Sequence, residues 1–558
     1  MGGLFSSLRT LRAAVKIIFE QKAVYDSVLT RLNASPGLPL PNPTTAFWLL
    51  PESPNLKKIQ SPTLPTTADI VIIGSGITST AILRELYRLN PSLRITLLEA
   101  RGVCTGATGR NGGHIKEGPY EEYPRLKKIY GADAAARILR FRLRHLEELK
   151  EVAREEGTAC IAASEIREVL GTDVFFDEET LQHGMERFQE WKRELPDMGR
   201  EWDVMDKETA KTKLHLPTAI GAIVGPAGAL WPYRLCTSIL SRLITQHSGN
   251  LSIESYTPVE HISYDASTEQ YTVTTSRGNI TTPTVIHATN AWVSHLVPGL
   301  RSKVFPFQGQ MSAQEAPEGV PGMGDQYSWS FIHKAGFDYL TQRPTTSITN
   351  EDGTATLSAG EMMYGGGWAS TGNNGMDVIG CPDDTSLNYL AASHLSGLLP
   401  FVFGSGVDEN GVRSYDGVKV KYMWTGVLGF SADVLPWVGK IPASITKRGQ
   451  PKTKGEGVGK GEWCAVGFSG EGMVNCWGCA TALARMVLGE EVVKANVNVK
   501  GINGRDRETR VRALKGEEEV KTWRDMKLEE WFPAEFVISE KRVAKADPTD
   551  LVEFLIDI

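Results

Sequence analysis

No run of apolar residues in this chain of 558 reaches the roughly 20 needed to span a bilayer, so stable membrane insertion is not expected. Its seven cysteines are scattered and odd in number, which does not make a disulfide framework and suits a reducing compartment. A cytoplasmic location follows as the expectation. No block of basic residues is interleaved with aromatics, and the formal net charge of −6 gives no general attraction to nucleic acid. Paired histidines at helical spacing and a second cysteine pair are missing, so no metal centre is expected. The length allows a large core, organised as two interleaved domains.

What is present concentrates in residues 68–115. Asp69, Ile70, Val71, Ile72 and Ile73 form a short run of the kind buried in parallel sheets, and Gly74-Ser75-Gly76-Ile77-Thr78-Ser79 follows at once. The first glycine permits a tight turn. The second lets the backbone approach a pyrophosphate, whose charge sits against free N–H groups at a helix start. The third fingerprint position is Ser79, a small residue where glycine is usual. The helix is expected to end at Asn90-Pro91, and residues 94–98 then form a strand leading into Glu99, about 20 residues after the turn. Glu99, with Ala100 and Arg101 behind it, suits ribose hydroxyls and would repel a 2′-phosphate. NADP is disfavoured, while FAD and NAD both remain. The next loop, Gly106-Ala107-Thr108-Gly109-Arg110-Asn111-Gly112-Gly113-His114, offers many unobstructed backbone N–H groups and suits a long cofactor carrying a diphosphate.

Residues 68–115 resemble the opening of the D-amino-acid oxidase superfamily of FAD-dependent oxidoreductases, and the wording of residues 106–114 is most similar to its γ-glutamylputrescine oxidase-like branch. The resemblance implies an α/β fold in which a Rossmann-like FAD-binding domain is interleaved with an α+β substrate domain built on an antiparallel sheet. It implies FAD contacts from the glycine turn and loop above, from Val259 against adenine, from Ala288 and Trp292, and from Gly429. Gly470, Glu471, Gly472 and Met473 would open the last helix, whose positive end stabilises reduced flavin. Glu471 departs from the family pattern of His or another uncharged or basic residue; a carboxylate pointing inward would raise the cost of flavin reduction. The family's covalent cysteine position corresponds to Tyr422, so noncovalent FAD is expected.

The domain division expected from this resemblance assigns 68–130, 216–300 and 424–490 to FAD binding, with a flexible insertion at 443–461, and 131–215 and 301–423 to the substrate domain. Residues 1–67 form an N-terminal helix and extended arm, and 491–558 a charged extension with Trp523, Trp531 and Phe532 as docking anchors. The implied activity is oxidation of a C–N bond in an amine or amino acid by hydride transfer to flavin N5, giving an imine and, with molecular oxygen as acceptor, H2O2. Another electron acceptor, or a binding module without catalysis, also fits. Candidate catalytic residues are His114, near the ring, and Tyr339, Arg343 and Tyr364, with Gln342, on the substrate sheet. Arg343 could clamp a carboxylate in bidentate fashion. Each also fits as an ordinary sheet or rim residue.

Cys476 and Cys479 suggest a dithiol partner for flavin, but they fall inside a predicted helix. A disulfide reductase would also need a second nucleotide turn, and the glycines and asparagines at 372–375 break the helix that such a turn at 365–370 would require. Residues 1–32 carry Arg9, Arg12 and Lys16 before the first acid, Glu20, with apolar residues at helical spacing. Three readings fit: a mitochondrial presequence, N-myristoylation at Gly2 with weak membrane association, or a helix packed on the domain.

Overall fold

The computed structural model describes residues 2–317, 320–334, 336–349, 355–404, 419–452, 458–492 and 522–551. The strand Ile70–Ile73 is apolar throughout because both of its faces are covered. Ile70 and Ile72 join Ile95, Leu97 and Ile286 in the largest core, while Val71 and Ile73 pack with Val259, Ile262 and Val273 on the other side. This strand is central in a six-stranded sheet ordered Trp437–Lys440, Gly461–Val466, Thr284–His287, Ile70–Ile73, Ile95–Leu98, Leu251–Glu254. All neighbours run parallel except the edge pair of Trp437–Lys440 with Gly461–Val466. Helices Ile77–Leu89 and Cys476–Val487 pack side by side, and a three-stranded antiparallel sheet covers the opposite face.

The second sheet has nine strands, mostly antiparallel. Its backbone is the long pairing of Val304–Gln314 with Val420–Ser431, continued by Met362–Gly366, Gly336–Gln342 and Tyr327–His333. One junction is parallel, between Tyr327–His333 and Arg167–Phe175. The strand Gly221–Ala229 lies in this sheet, although residues 216–300 were assigned to the FAD-binding domain. Its nine residues pair antiparallel with Arg167–Phe175, which fixes its place. The mixed α/β architecture of a dinucleotide-type sheet interleaved with a substrate-domain sheet is as expected.

Three peripheral segments complete the fold. The helix Gly2–Asn33 packs through its last turns: Val28 and Leu32 are buried and Arg31 donates to the carbonyls of Met376 and Ile379, whereas Leu11, Ile18 and Phe19 are exposed. No helix among the described residues is long and apolar enough to cross a membrane. The segment 443–461, expected to be a flexible insertion, is anchored at both ends: Arg448 donates twice to the buried Glu462, and Gly461 opens a strand. Residues 453–457 lie outside the described residues. Near the C-terminus, Trp523, Trp531 and Phe532 gather around Phe141, with Trp523 and Trp531 stacked at 4.8 Å.

Candidate functional site

A single cavity of about 1580 Å³ runs from the edge of the parallel sheet to the face of the nine-stranded sheet. It exceeds the roughly 300–1,000 Å³ of a pocket for one small ligand and has room for a long cofactor together with a substrate. At one end the strand Ile70–Ile73 stops and Gly74 turns with φ +98°; a Cβ there would sit 2.6 Å from the Ala288 carbonyl oxygen, so only glycine lets the crossing strand pass. Gly76 caps the helix Ile77–Leu89, and Gly76, Ile77 and Thr78 line the cavity. Thr108 reaches across to accept from the Ile77 N–H at 2.9 Å. Thus the second loop is tied to the first helix before any ligand enters.

Glu99 serves this scaffold directly. It accepts from the Ser75 N–H and hydroxyl at 3.1 and 2.6 Å and from the Arg101 N–H at 2.9 Å, while lining the cavity with Ala100. A carboxylate has about four acceptor positions, so one is left for a ribose hydroxyl. Arg101 is held by both oxygens of Asp384, at 3.0 and 2.9 Å, and lies over the Trp292 ring. Arg110 donates to the carbonyls of Thr44, Thr105 and Thr425; burial lowers its pKa to about 10, but it stays charged. Both arginines therefore brace loops. Asp384, buried beneath them, is absent from any motif; only the fold brings it there, from a position far along the chain.

The loop at 106–112 lines the cavity, and its partner is the N-terminal arm: the Trp48 indole donates to the Asn111 carbonyl, and its ring packs on Trp231 at 4.9 Å. Ser79 and Gly113 do not reach the cavity. Ser79 donates to the Gly74 carbonyl, and Gly113 packs on the Leu230 carbonyl. Val259, Ala288, Trp292, Gly429 and the turn Gly470, Glu471, Gly472, Met473 complete the lining.

The residues present fit an extended polar cofactor. The Thr289 hydroxyl and the Trp292 indole N–H, both on cavity-lining residues, are buried and lack any hydrogen-bond partner in the protein. Buried polar atoms of this kind call for a partner. Gly76, Thr78 and the loop at 106–112 line the same stretch of the cavity.

Beyond Gly112 lies a chamber floored by the nine-stranded sheet. Tyr339 packs on Gly112, and its hydroxyl contacts the Met311 sulfur at 3.0 Å. His114 is bonded to the Ser328 hydroxyl at 2.8 Å; burial and nearby Lys116 hold its pKa well below the usual range, so it is neutral. Lys116 pairs with Asp173 and donates to the Ser330 hydroxyl at 2.7 Å, and Tyr120 donates to the same Asp173. Lys116, Asp173 and Ser330 were not found from the sequence, since no motif joins them.

Three expected candidates lie elsewhere. Tyr364 stands opposite Leu340 in the register, so it shares the face away from Tyr339 and is buried in a separate apolar cluster. Gln342 bonds the Met323 N–H and the Gly360 carbonyl. Arg343 is already clamped by Glu165, at 3.1 and 2.6 Å, and by Glu361 at 2.6 Å. Its charge is spent, so it cannot serve as a free carboxylate clamp.

Glu471 lines the cavity instead of pointing away. Burial, reinforced by the neighbouring Glu117 and Glu122 and opposed by Arg142, pushes its pKa up to about 8, and Glu117 rises to about 7. Arg142 binds Glu117 and Glu122, each at 3.3 Å. Near neutral pH the Glu471 carboxyl is largely neutral, which removes the electrostatic objection raised by a carboxylate. The helix Cys476–Val487 starts after a separate turn at Gly472–Val474, so it does not open at residues 470–473 and Cys476 and Cys479 lie in its first turn instead of inside it; both are free, buried thiols whose pKa values burial raises, so neither is a reactive thiolate.

The family described as FAD dependent oxidoreductase matches residues 69–486. Gamma-glutamylputrescine oxidoreductase of Escherichia coli (strain K12) is 21% identical over 385 residues, covering 68% of this chain and 78% of that protein. The fold is similar to that of L-proline dehydrogenase from P. horikoshii, with a TM-score of 0.54 and 19% identity over 82% of this chain and 100% of the other. Iminodiacetate oxidase from Chelativorans sp. BNC1 gives a TM-score of 0.54 at 17% identity, over 77% and 97% of the two chains.

Proposed function

Because this chain belongs to the DAO family of FAD-dependent oxidoreductases, we propose that it oxidises a C–N bond of a small amine or amino acid, with FAD held noncovalently along the cavity. The observation that carries this reading is the chamber beside Gly112: it adjoins the loop at 106–112, and its His114 and Lys116 are already bonded to Ser328, Ser330 and Asp173. Such a lining suits a reaction needing position more than a strong base. The names of gamma-glutamylputrescine oxidoreductase, L-proline dehydrogenase and iminodiacetate oxidase support a nitrogen-bearing substrate.

Bound there, FAD would supply the hydride acceptor for the carbon beside the nitrogen. The protein supplies the setting. Gly74, Ser75, Gly76 and Thr78 would hold the pyrophosphate, Glu99 the ribose, Val259 the adenine, and the 470–473 turn the flavin end. Tyr339 and Met311 form one wall and hold the donor carbon in place. Neutral His114 adds no charge that would keep the amine protonated, and Lys116 is neutralised by Asp173. Glu471 presents a neutral carboxyl below pH 8 and so leaves the positive helix end free to stabilise reduced cofactor.

The segments 68–130, 216–300 and 424–490 remain our proposed cofactor-binding division apart from the strand Gly221–Ala229. The electron acceptor is oxygen, giving H2O2, or another acceptor. Unpaired cysteines support a cytoplasmic setting. Anaerobic mixing of the purified holoprotein with N-alkyl amino acids, acylated polyamines and simple amines tests the reading. Loss of the visible flavin band with one of these classes supports it, and reduction by 2-hydroxy acids or polyol phosphates alone would overturn it.

A further inference from the structure

On the far face of the nine-stranded sheet, two histidines and a buried carboxylate converge. His333 ends the strand Tyr327–His333, Asp338 lies in the paired strand Gly336–Gln342, and His394 comes from the helix Tyr389–Phe403. We propose that His333, Asp338 and His394 form a binding site for a divalent first-row metal ion such as Zn2+, joining that helix to the strand hairpin.

The donor set is two imidazole nitrogens and one carboxylate oxygen, a combination suited to zinc. One ligand atom from each residue lies within 4.8 Å of the others. The His333 Nε2 to Asp338 Oδ2 separation is 3.4 Å, close to the edge of about 3.3 Å expected for tetrahedral ligands about 2.0 Å from zinc. His394 Nε2 lies 2.7 Å from the same oxygen and would open by about half an ångström, its proton leaving as the metal enters.

Two further observations point to a missing occupant. His333 Nε2 is buried and without a well-formed hydrogen bond, and so is the hydroxyl of Tyr364, a fully buried residue that faces Asp338. The hydroxyl or a water supplies the fourth position. Asp338 is itself oriented, because its Oδ1 accepts from the Gly367 N–H at 2.7 Å and leaves Oδ2 to the histidines. His333 is about one-third exposed and lines the outer end of the cavity, which gives an ion a way in.

The site is read from the untagged holoprotein after incubation with ZnCl2, removal of loose metal by gel filtration, and measurement of zinc and FAD by atomic emission and absorbance. About one zinc per chain is expected in the parent protein, with a higher melting temperature that EDTA reverses. His394→Gln, at a partly exposed position, and His333→Gln should retain FAD while losing the zinc and the melting shift. No retained zinc in the parent, or equal retention in both variants, would overturn the proposal and leave a hydrogen-bonded His-Asp-His group.

Discussion

The Tyr339 ring rests on the backbone of Gly112, so closely that a Cβ at residue 112 would fall inside it. The last turn of the cofactor loop and the floor of the substrate chamber are therefore one contact, reinforced where Thr341 donates to the Gly112 carbonyl at 2.7 Å. Gly112→Ala should displace the ring and lower kcat/KM by about tenfold or more with smaller loss of FAD, because misplacement near 1 Å can cost 10²-fold. Steady-state kinetics and the FAD to protein ratio check this. Adding Tyr339→Leu, which makes room for the methyl, should recover FAD content.

Glu471 couples the flavin end of the cavity to pH. Its folded pKa of about 8 lies above that of a free carboxyl, so the stability its protonation contributes is complete at acid pH and lost as pH rises through 8. With FAD in the proposed orientation, ionisation also places a negative charge beside the flavin. Between pH 7 and 9 the midpoint potential of the bound flavin should fall more steeply in the parent than in Glu471→Gln, and the melting temperature of the variant should exceed the parent's by a few degrees at the alkaline end. Potentiometry and thermal melts across that range are decisive; identical slopes would remove Glu471 from this role.

Arg343 is held as a structural cation by Glu165 and Glu361. Arg343→Met leaves Glu165 and Glu361 without their main partner and should cost about 2 kcal/mol of stability. The KM of the folded fraction for a carboxylate-bearing substrate should change less than twofold. A large rise in KM with unchanged melting would restore the clamp.

Asp384 holds Arg101 directly and lies 3.9 Å from Arg110. Asp384→Ala should destabilise the fold by about 3 kcal/mol, since a buried arginine loses its counter-charge, and should release FAD. Fluorescence of freed flavin against denaturant concentration measures both effects.

The cofactor end was legible because its chemistry is local. Gly74, Gly76 and Glu99 sit within one strand-turn-helix-strand unit, where each position has a steric or charge reason readable from spacing. The substrate end was not. Tyr339 and Tyr364 are both tyrosines on neighbouring strands, and only the register decides that one faces the cavity and the other the opposite core. Arg343 looked available because Glu165 is 178 residues away in sequence. The Lys116–Asp173 pair and Asp384 escaped for the same reason, as did the convergence of His333, Asp338 and His394. Glu471 was recognised as anomalous, but its protonation depends on its burial and on Glu117, Glu122 and Arg142, which come from the segment after Ile115 and from two helices.

The most direct measurement is rapid anaerobic mixing of the holoprotein with its best amine and with the same amine deuterated at the carbon beside nitrogen. Bleaching of the visible flavin band, slowed several-fold by deuterium and accompanied by one equivalent of carbonyl product, is the expected result. A protein that purifies without flavin, or a flavin that no amine or amino acid reduces, would show that this chain does not perform C–N oxidation.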